Sequence, residues 1–394
     1  MIVLARGRFG SAPARVLEQV RRSGPVTREE LARVTGLSPA TVARTIGTLV
    51  EEHLVRERTD LVRGGVGRPS APVDLDPDHH VTLGVHVGKR LTTVGLVDLA
   101  GNLVSQTRGA TPESGAEAIV STAVRSATQL LAANPDRSVL SAGLVAAWGD
   151  VDVDEADLGD RLAAATGFEV STAHHVAAVV AAEYMAKRRD ADGCTAYVYV
   201  RDTAGFALAN DVPDRTEVSR VAALTHFPTR SPLPCGCGRA GCFVAVASDH
   251  ALARRAHETG VVARPEIEAL HAAARAGSAA AHALLCERAR VLGETAAVVR
   301  DMVAPDRVVL VGQAFTGYPP ALDEVAAAFR DATTLPPIEL SFTRFGAGVQ
   351  AVAAGTVALG PVYEDPLGSV GRTVRHRLPR APQVTTDASP VPVG

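Results

Sequence analysis

Hydrophobic runs long enough to cross a membrane are missing from this 394-residue sequence. A transmembrane helix needs about 20 consecutive apolar residues, and the first ten residues also lack the apolar centre of a signal peptide. The sequence therefore predicts a cytoplasmic protein. Its composition, 46% hydrophobic and 21% charged residues, is typical of globular proteins that bury sizeable cores. The length predicts two or three domains.

Lysine is also scarce, since 38 of the 40 basic residues are arginine. We attribute this imbalance to coding bias, so the abundance of arginine does not by itself indicate a function. The distribution of charge is more informative. Residues 1–76 contain 12 Arg and 9 acidic residues, a net charge of +3, and the whole chain carries −3, which leaves −6 for the remainder. A basic N-terminal segment on an acidic body favours binding of nucleic acid.

Cysteine is rare as well, but three of the five cysteines lie close together. Cys235, Cys237 and Cys242 form the pattern C-x-C-x4-C, and the glycines between them allow the tight backbone that such close ligands require. Crowded thiolates are typical of a tetrahedral structural zinc site, which needs a fourth ligand. His226 is the natural candidate. The alternative is a set of reduced structural cysteines, or a disulfide pair.

The N-terminal segment has the pattern of a helix-turn-helix unit. Thr27 and Glu30 form a capping box that opens a short helix, Gly36 makes the turn, and a new helix continues to about Val50. The outer face of this second helix is small or hydrogen-bonding, as the major groove requires. We expect four of its residues to contact DNA: Ser38, Thr41, Arg44 and Thr45. The alternative is a three-helix adaptor with solvated arginines.

The next segment predicts a wing. A short strand at residues 54–58 is followed by a turn and by the sequence Val66-Gly67-Arg68-Pro69. An arginine held in an extended arm by Gly and Pro suits insertion into a narrow minor groove, so we expect Arg68 to contact DNA there. Residues 1–69 are therefore predicted to form a winged helix-turn-helix domain that binds double-stranded DNA.

The rest of the chain predicts a mixed α/β body between two irregular segments. Residues 70–80 are rich in Pro and Asp and predict a linker. Residues 81–366 twice run from strands into helices, which indicates two α/β subdomains. Residues 367–394 lack apolar periodicity and predict a disordered tail.

The winged helix, the Gly-Arg-Pro arm, the strand hairpin that opens the body and the Cys-rich loop together resemble the ROK family of bacterial repressors and sugar kinases. The resemblance covers roughly residues 12–361. It implies a two-lobed, actin-like and ribonuclease-H-like body, with a sugar in the cleft and, in kinases, ATP beside it. It also places the family's zinc ligands at His226, Cys235, Cys237 and Cys242. The helix-turn-helix marks the repressor branch, because the kinases lack it.

The sequence departs from the kinase pattern at the catalytic and sugar-binding positions. Kinase members open with Asp-Ile-Gly-Gly-Thr-Lys, where this chain reads His86-Val87-Gly88-Lys89-Arg90-Leu91. His174 and His175 stand where the resemblance implies the catalytic Asp, and Ala223 replaces a sugar-binding Glu. We therefore predict no kinase activity. The cleft is expected to be a remodelled effector pocket with four marker residues: His86, His174, His175 and Ala223.

These observations predict a ROK-type transcriptional regulator, most simply a repressor, that binds a palindromic operator as a homodimer or homotetramer. A small-molecule effector that prefers one arrangement of the lobes would change the affinity for DNA. That effector need not be a hexose and can be absent. Two alternatives stay open: a sugar kinase with an extra domain, and an effector-independent protein that binds DNA or a partner.

Overall fold

The computed structural model describes most of the chain as three β-sheets and the helices that pack on them. The described residues are 2–5, 10–61, 71–113, 115–149, 151–186, 193–212, 215–343, 345 and 348–373. The strands are β1 Ile2–Ala5, β2 Val55–Glu57, β3 Val73–Leu75, β4 His80–Val87, β5 Leu91–Asp98, β6 Leu103–Ala110, β7 Ser138–Ala146, β8 Val170–His174, β9 Gly193–Val200, β10 Ala204–Val212, β11 Arg215–Val218, β12 Ala222–Ala223, β13 Arg307–Val311 and β14 Glu339–Phe342. The α-helices are α1 Ala12–Ser23, α2 Arg28–Thr35, α3 Pro39–Glu51, α4 Ala116–Ala132, α5 Glu155–Thr166, α6 His175–Ala186, α7 Phe243–Ala247, α8 Asp249–Glu258, α9 Ile267–Arg275, α10 Ala279–Val303, α11 Gln313–Thr316, α12 Leu322–Ala332, α13 Val349–Glu364 and α14 Pro366–Thr373.

Helices α1 to α3 form the N-terminal three-helix unit, and the predicted caps set their limits. The Thr27 hydroxyl accepts a hydrogen bond from the Glu30 amide at 3.2 Å, and the Ser38 hydroxyl accepts one from the Thr41 amide at 3.1 Å. Gly36 ends α2 at a φ of 66°, a left-handed conformation that glycine adopts without steric cost. The helix-turn-helix prediction is therefore confirmed.

The wing hairpin includes part of the segment that was predicted to be a linker. Strand β3 pairs antiparallel with β2, so residues 70–80 supply the return strand of the hairpin, and the prediction of a linker there was wrong. Val73 and Leu75 alternate with a polar residue and are buried, a strand signal that the Pro- and Asp-rich composition obscured. Arg68 belongs to residues 62–70, which lie outside the described residues.

The body consists of two lobes whose sheets share one strand order. The first lobe has the order β6-β5-β4-β7-β8, and the second has β11-β10-β9-β13-β14. In each lobe three antiparallel strands come first and two parallel strands follow. This repeated arrangement confirms the two-lobed, ribonuclease-H-like prediction.

Helix α13 lies against the first sheet along a row of glycines. Gly95, Gly84 and Gly143 are register partners on the neighbouring strands β5, β4 and β7. The helix comes so close that a Cβ built on Gly143 would lie 2.0 Å from the carbonyl oxygen of Ala354. Because α13 also packs against α6, it belongs to the structural centre of the body.

Both ends of the described chain differ from the sequence predictions. Strand β1 was assigned to the DNA-binding domain, but it pairs antiparallel with β11 at the edge of the second lobe's sheet. Helix α14 occupies the start of the predicted disordered tail, and its Val370 is buried in a cluster with Leu140 and Leu359. Residues 374–394 lie outside the described residues.

The three-helix unit and the first lobe share one hydrophobic cluster. Val16 and Leu17 of α1 are buried together with Leu359 and Tyr363 of α13. The Tyr363 hydroxyl donates to the carbonyl oxygen of Leu99 at 2.6 Å, and the Arg21 guanidinium lies 5.6 Å from the centre of the Tyr363 ring. The three-helix unit is therefore packed onto the body through α1. Among the helices within the described ranges, none has the length and apolarity needed to cross a membrane.

Candidate functional site

The outer face of α3 is the candidate surface for DNA. Ser38, Ala40 and Arg44 are exposed, and Thr41 is half-buried beside the cap. The hydroxyls of Ser38 and Thr41 lie 2.8 Å apart, so one donates to the other. The side chains of this face are small at the start of the helix, and the long cationic side chain of Arg44 follows about one turn later. That combination lets a helix enter a groove while the guanidinium reaches base edges or phosphates.

Thr45 does not share this exposed face, although the sequence analysis placed it there. Its relative exposure is 7%, and it lies in the core together with Val42 and Leu49. Position 45 is three residues after Val42 and four before Leu49, so it falls on the same ridge of the helix. The prediction that Thr45 lies on the exposed face was wrong for this reason.

The predicted metal ligands converge. The ligand atoms of His226, Cys235, Cys237 and Cys242 all lie within 4.8 Å of one another. The Cys237 and Cys242 sulfurs are 3.6 Å apart, well beyond a disulfide length of about 2.05 Å. Zinc–sulfur bonds of about 2.3 Å give a tetrahedron edge of about 3.8 Å, close to this separation. The four residues therefore fit a tetrahedral metal ion.

Two glycines make this convergence possible. Gly238 and Gly241 adopt φ values of 87° and 77°, which other residues rarely reach. The loop is then fixed to its surroundings by main-chain hydrogen bonds, from the Thr229 amide to the Gly241 carbonyl at 2.7 Å and from the Phe243 amide to the Phe227 carbonyl at 2.8 Å. A bound ion would join both ends of this loop and fix the start of α7.

A cavity of about 470 Å³ lies between the two lobes, a size typical of small-molecule sites. The first lobe contributes His174 and His175, and the second contributes Ala223, so three of the four predicted pocket residues share one cavity. His86 lies behind them, with its ring centre 6.0 Å from that of His175. The sequence analysis did not predict the other polar and aromatic lining residues that matter here: Trp148, Glu155, Thr203 and Arg220.

A hydrogen bond crosses from one lobe to the other at this cavity. His175 Nε2 lies 3.0 Å from the Thr203 hydroxyl, and the His174 ring stacks on that of His175 at 4.8 Å between centres. The Trp148 indole donates to the Ala173 carbonyl oxygen at 3.2 Å. Trp148 is half-buried and lines the cavity, so one face of its ring packs against protein while part of it reaches the pocket.

Burial keeps His86 and His175 neutral. Burial, together with the nearby charges of Arg201 and Arg108, lowers the pKa of His86 to about 4. Burial, together with the neighbouring His86 and His174, also lowers the pKa of His175. At neutral pH these rings therefore offer one hydrogen-bond donor and one acceptor each and carry no charge.

We expect the free energy of unfolding to fall as the pH drops from about 6.5 towards 4. A histidine with a lowered pKa in the folded state binds more protons when unfolded, so its contribution is present at neutral pH and is lost through that window. For His86 the slope is up to about 1.4 kcal/mol per pH unit. Urea denaturation at several pH values should show that the free energy of unfolding of His86→Gln depends less steeply on pH than that of the unmodified protein. An unchanged slope would contradict this assignment.

Comparison with known proteins gives matches in both parts of the chain. The ROK family matches residues 82–341 and the MarR family matches residues 10–62. The transcriptional regulator Rv0485 of Mycobacterium tuberculosis is 38% identical over 386 residues, which is 92% of this chain and 88% of that protein. Among solved structures, a ROK family transcriptional regulator described as a homolog of the E. coli MLC protein has a TM-score of 0.71 at 22% identity, covering 92% of this chain and 98% of its own.

A second solved structure has the same fold but is that of a kinase. A ROK family glucokinase from Streptomyces griseus, in complex with glucose and AMPPNP, has a TM-score of 0.59 at 22% identity, over 71% of this chain and 99% of its own. At this identity the similarity concerns the fold alone. Function therefore has to be argued from the residues at the site.

Proposed function

The chain belongs to the ROK family, and we propose that it is a DNA-binding transcriptional regulator, most simply a repressor. The observation that carries the proposal is the exposed face of α3, where Arg44 follows a small N-terminal turn in a capped helix-turn-helix unit. The kinases of the family lack this unit, so its presence favours a regulator. Its packing onto the first lobe also allows the body to influence how it meets DNA.

The DNA contacts that we propose are Ser38, Thr41 and Arg44 in the major groove and Arg68 in the minor groove. A homodimer or homotetramer would present one winged helix to each half of a palindromic operator, because protein symmetry and operator symmetry match in such complexes. The regulator would act on double-stranded DNA in the cytoplasm.

We further propose that the His226 cluster binds a structural Zn²⁺. Three thiolates and one imidazole at tetrahedral spacing form a closed donor set without a position for substrate. The ligand His226 directly follows Thr225, which lines the interlobe cavity together with Ala223. The Thr225 carbonyl oxygen also accepts a hydrogen bond from the Val244 amide at 3.0 Å. The ion would thus stabilise one wall of the effector pocket.

We propose that the pocket does not transfer phosphoryl groups. Two histidines, of which burial keeps His175 neutral, occupy the position where the family resemblance implies a catalytic carboxylate, and the methyl side chain of Ala223 cannot accept a hydrogen bond from a sugar hydroxyl. The sugar hydroxyls that the missing carboxylate would bind lose that partner here, which costs about 1–3 kcal/mol each. The effector, if one exists, is therefore not an ordinary hexose.

The decisive experiment is selection of bound sequences from random duplex DNA with the purified full chain. We expect a discrete palindromic site, and Arg44→Ala should weaken binding to it about 10- to 100-fold, because one bidentate base contact is worth about 1–3 kcal/mol. The matched control is Arg125→Ala, which removes the same charge from an exposed position on α4. Sequence-blind binding, or ATP-dependent phosphorylation of a hexose, would contradict the proposal.

A further inference from the structure

The strand β1 attaches the start of the chain to the second lobe. Its register with β11 runs from Ile2 opposite Val218 to Ala5 opposite Arg215. β1 also lies against α6 and α13, the two helices that pack together at the centre of the body. Strand β11 in turn pairs with β10, so β1 extends the second lobe's sheet by one strand.

Strand β11, which pairs with β1, is followed directly by residues that line the effector pocket. Residues 219–221 follow β11 without a break and line the interlobe cavity; we call them the pocket wall. The wall is anchored to β10, since the Leu208 amide donates to the Ser219 hydroxyl at 2.9 Å and the Ser219 amide donates to the Leu208 carbonyl at 2.8 Å. Thr216 and Val218 are buried. A displacement of the wall is therefore passed to β11 and is not absorbed by a loose loop.

The other end of this connection is the DNA-binding unit. Helix α1 begins at Ala12, and Val16, Leu17 and Val20 pack in the cluster shared with the first lobe. The Arg21 guanidinium also donates to the Met185 carbonyl oxygen at 3.2 Å. Only residues 6–11 separate β1 on the second lobe from α1 on the first. At about 3.3–3.6 Å per residue, this segment can span at most about 25 Å.

We propose that β1 is a strap that couples the effector pocket to the DNA-binding unit. When a ligand moves the pocket wall relative to the first lobe, β11 carries β1 with it, and because β1 and α1 are joined by the chain, this movement reaches the DNA-binding unit. The inference rests on the proposed regulatory function and supplies its internal connection. Because coupling between two binding sites is reciprocal, binding of DNA must also change the pocket.

The fluorescence of a tryptophan in the cavity can report such a change in the pocket. Trp148 is the single tryptophan in the sequence, and it lines the cavity opposite the pocket wall. Titration of the full chain with its selected operator should change the tryptophan fluorescence, whereas an unrelated duplex of the same length should not. The experiment needs no knowledge of the natural effector.

The test variant is the double substitution Val3→Pro and Leu4→Pro. Amide groups alternate in direction along a strand, so one of two adjacent prolines removes an amide that faces β11. The matched control is Val3→Ala with Leu4→Ala, which shortens the same side chains but keeps both amides. A chain that lacks residues 2–5 serves as a second variant.

We expect the proline variant and the shortened chain to bind the operator but to lose the fluorescence change, while the alanine control keeps it. An equal fluorescence change in all variants would overturn the strap, and so would operator binding without any fluorescence change in the unmodified chain. If the unmodified chain binds no specific DNA, the proposed function itself fails, and that result is distinct from the other two.

Discussion

Replacement of Cys242 by serine is expected to abolish the zinc binding that we propose and to unfold the loop between β12 and α7. Cys242 is the buried member of the cluster and stands immediately before α7, so its sulfur ties the loop to the second lobe's core. Structural zinc stabilises a fold through the free energy of its binding. Loss of the ion should lower the free energy of unfolding by more than about 4 kcal/mol.

The measurement is the zinc content per chain, by elemental analysis, combined with urea denaturation. The matched control is Cys286→Ser on α10, which lies outside the cluster and should keep one zinc ion and nearly full stability. A chelator should reproduce the effect in the unmodified protein. If Cys242→Ser kept its zinc, or if the unmodified chain bound none, the closed four-ligand site would be wrong.

The features predicted well from the sequence have local signals. A capping box and a C-terminal glycine define α2 within a few residues, and the spacing of the Cys235, Cys237 and Cys242 thiols requires a tight loop whatever the surrounding fold. The departures from the kinase pattern could also be read directly, because they are substitutions at positions that a motif identifies.

The features missed depend on contacts between distant parts of the chain. Strand β1 is four residues long and its partner β11 lies far away in the sequence, so this pairing could not be inferred. The burial of Thr45 is an exception, because its spacing from Val42 and Leu49 along α3 is a local signal that was overlooked. Trp148 and Arg220 enter the same pocket only because the two lobes face each other.

The chemistry of the pocket follows from the same tertiary arrangement. Two of its histidines belong to the turn between β8 and α6, where the first lobe meets the β9–β10 turn of the second. The link from His175 to Thr203 joins the lobes through neutral groups, which a ligand with its own donors and acceptors can replace. A site of this kind needs no catalytic group, which agrees with the effector-sensing role that we propose.

A second large effect is expected from Gly143→Ala in the first lobe. The new Cβ would lie 2.0 Å from the Ala354 carbonyl oxygen and 3.1 Å from the Ala358 amide nitrogen, and both atoms belong to the backbone of α13. Side chains can rotate away from such a clash, but a helix backbone has to move as a unit. Overpacking in cores typically costs about 1–3 kcal/mol. This contact is closer than side-chain rearrangement can relieve, so we expect a loss at or above the upper end of that range.

The control for this prediction lies on the same helix. Gly360 of α13 has no atom within 4 Å of a built Cβ, so Gly360→Ala should be neutral or should stabilise the protein by up to about 1 kcal/mol through helix propensity. Urea denaturation of both variants compares a methyl group that clashes with the backbone of α13 with one that only increases helix propensity. If Gly143→Ala were as stable as Gly360→Ala, α13 would not lie on the glycine row. Since α13 also packs on α6 and α1, the contact between the lobes and the DNA-binding unit would then need another explanation.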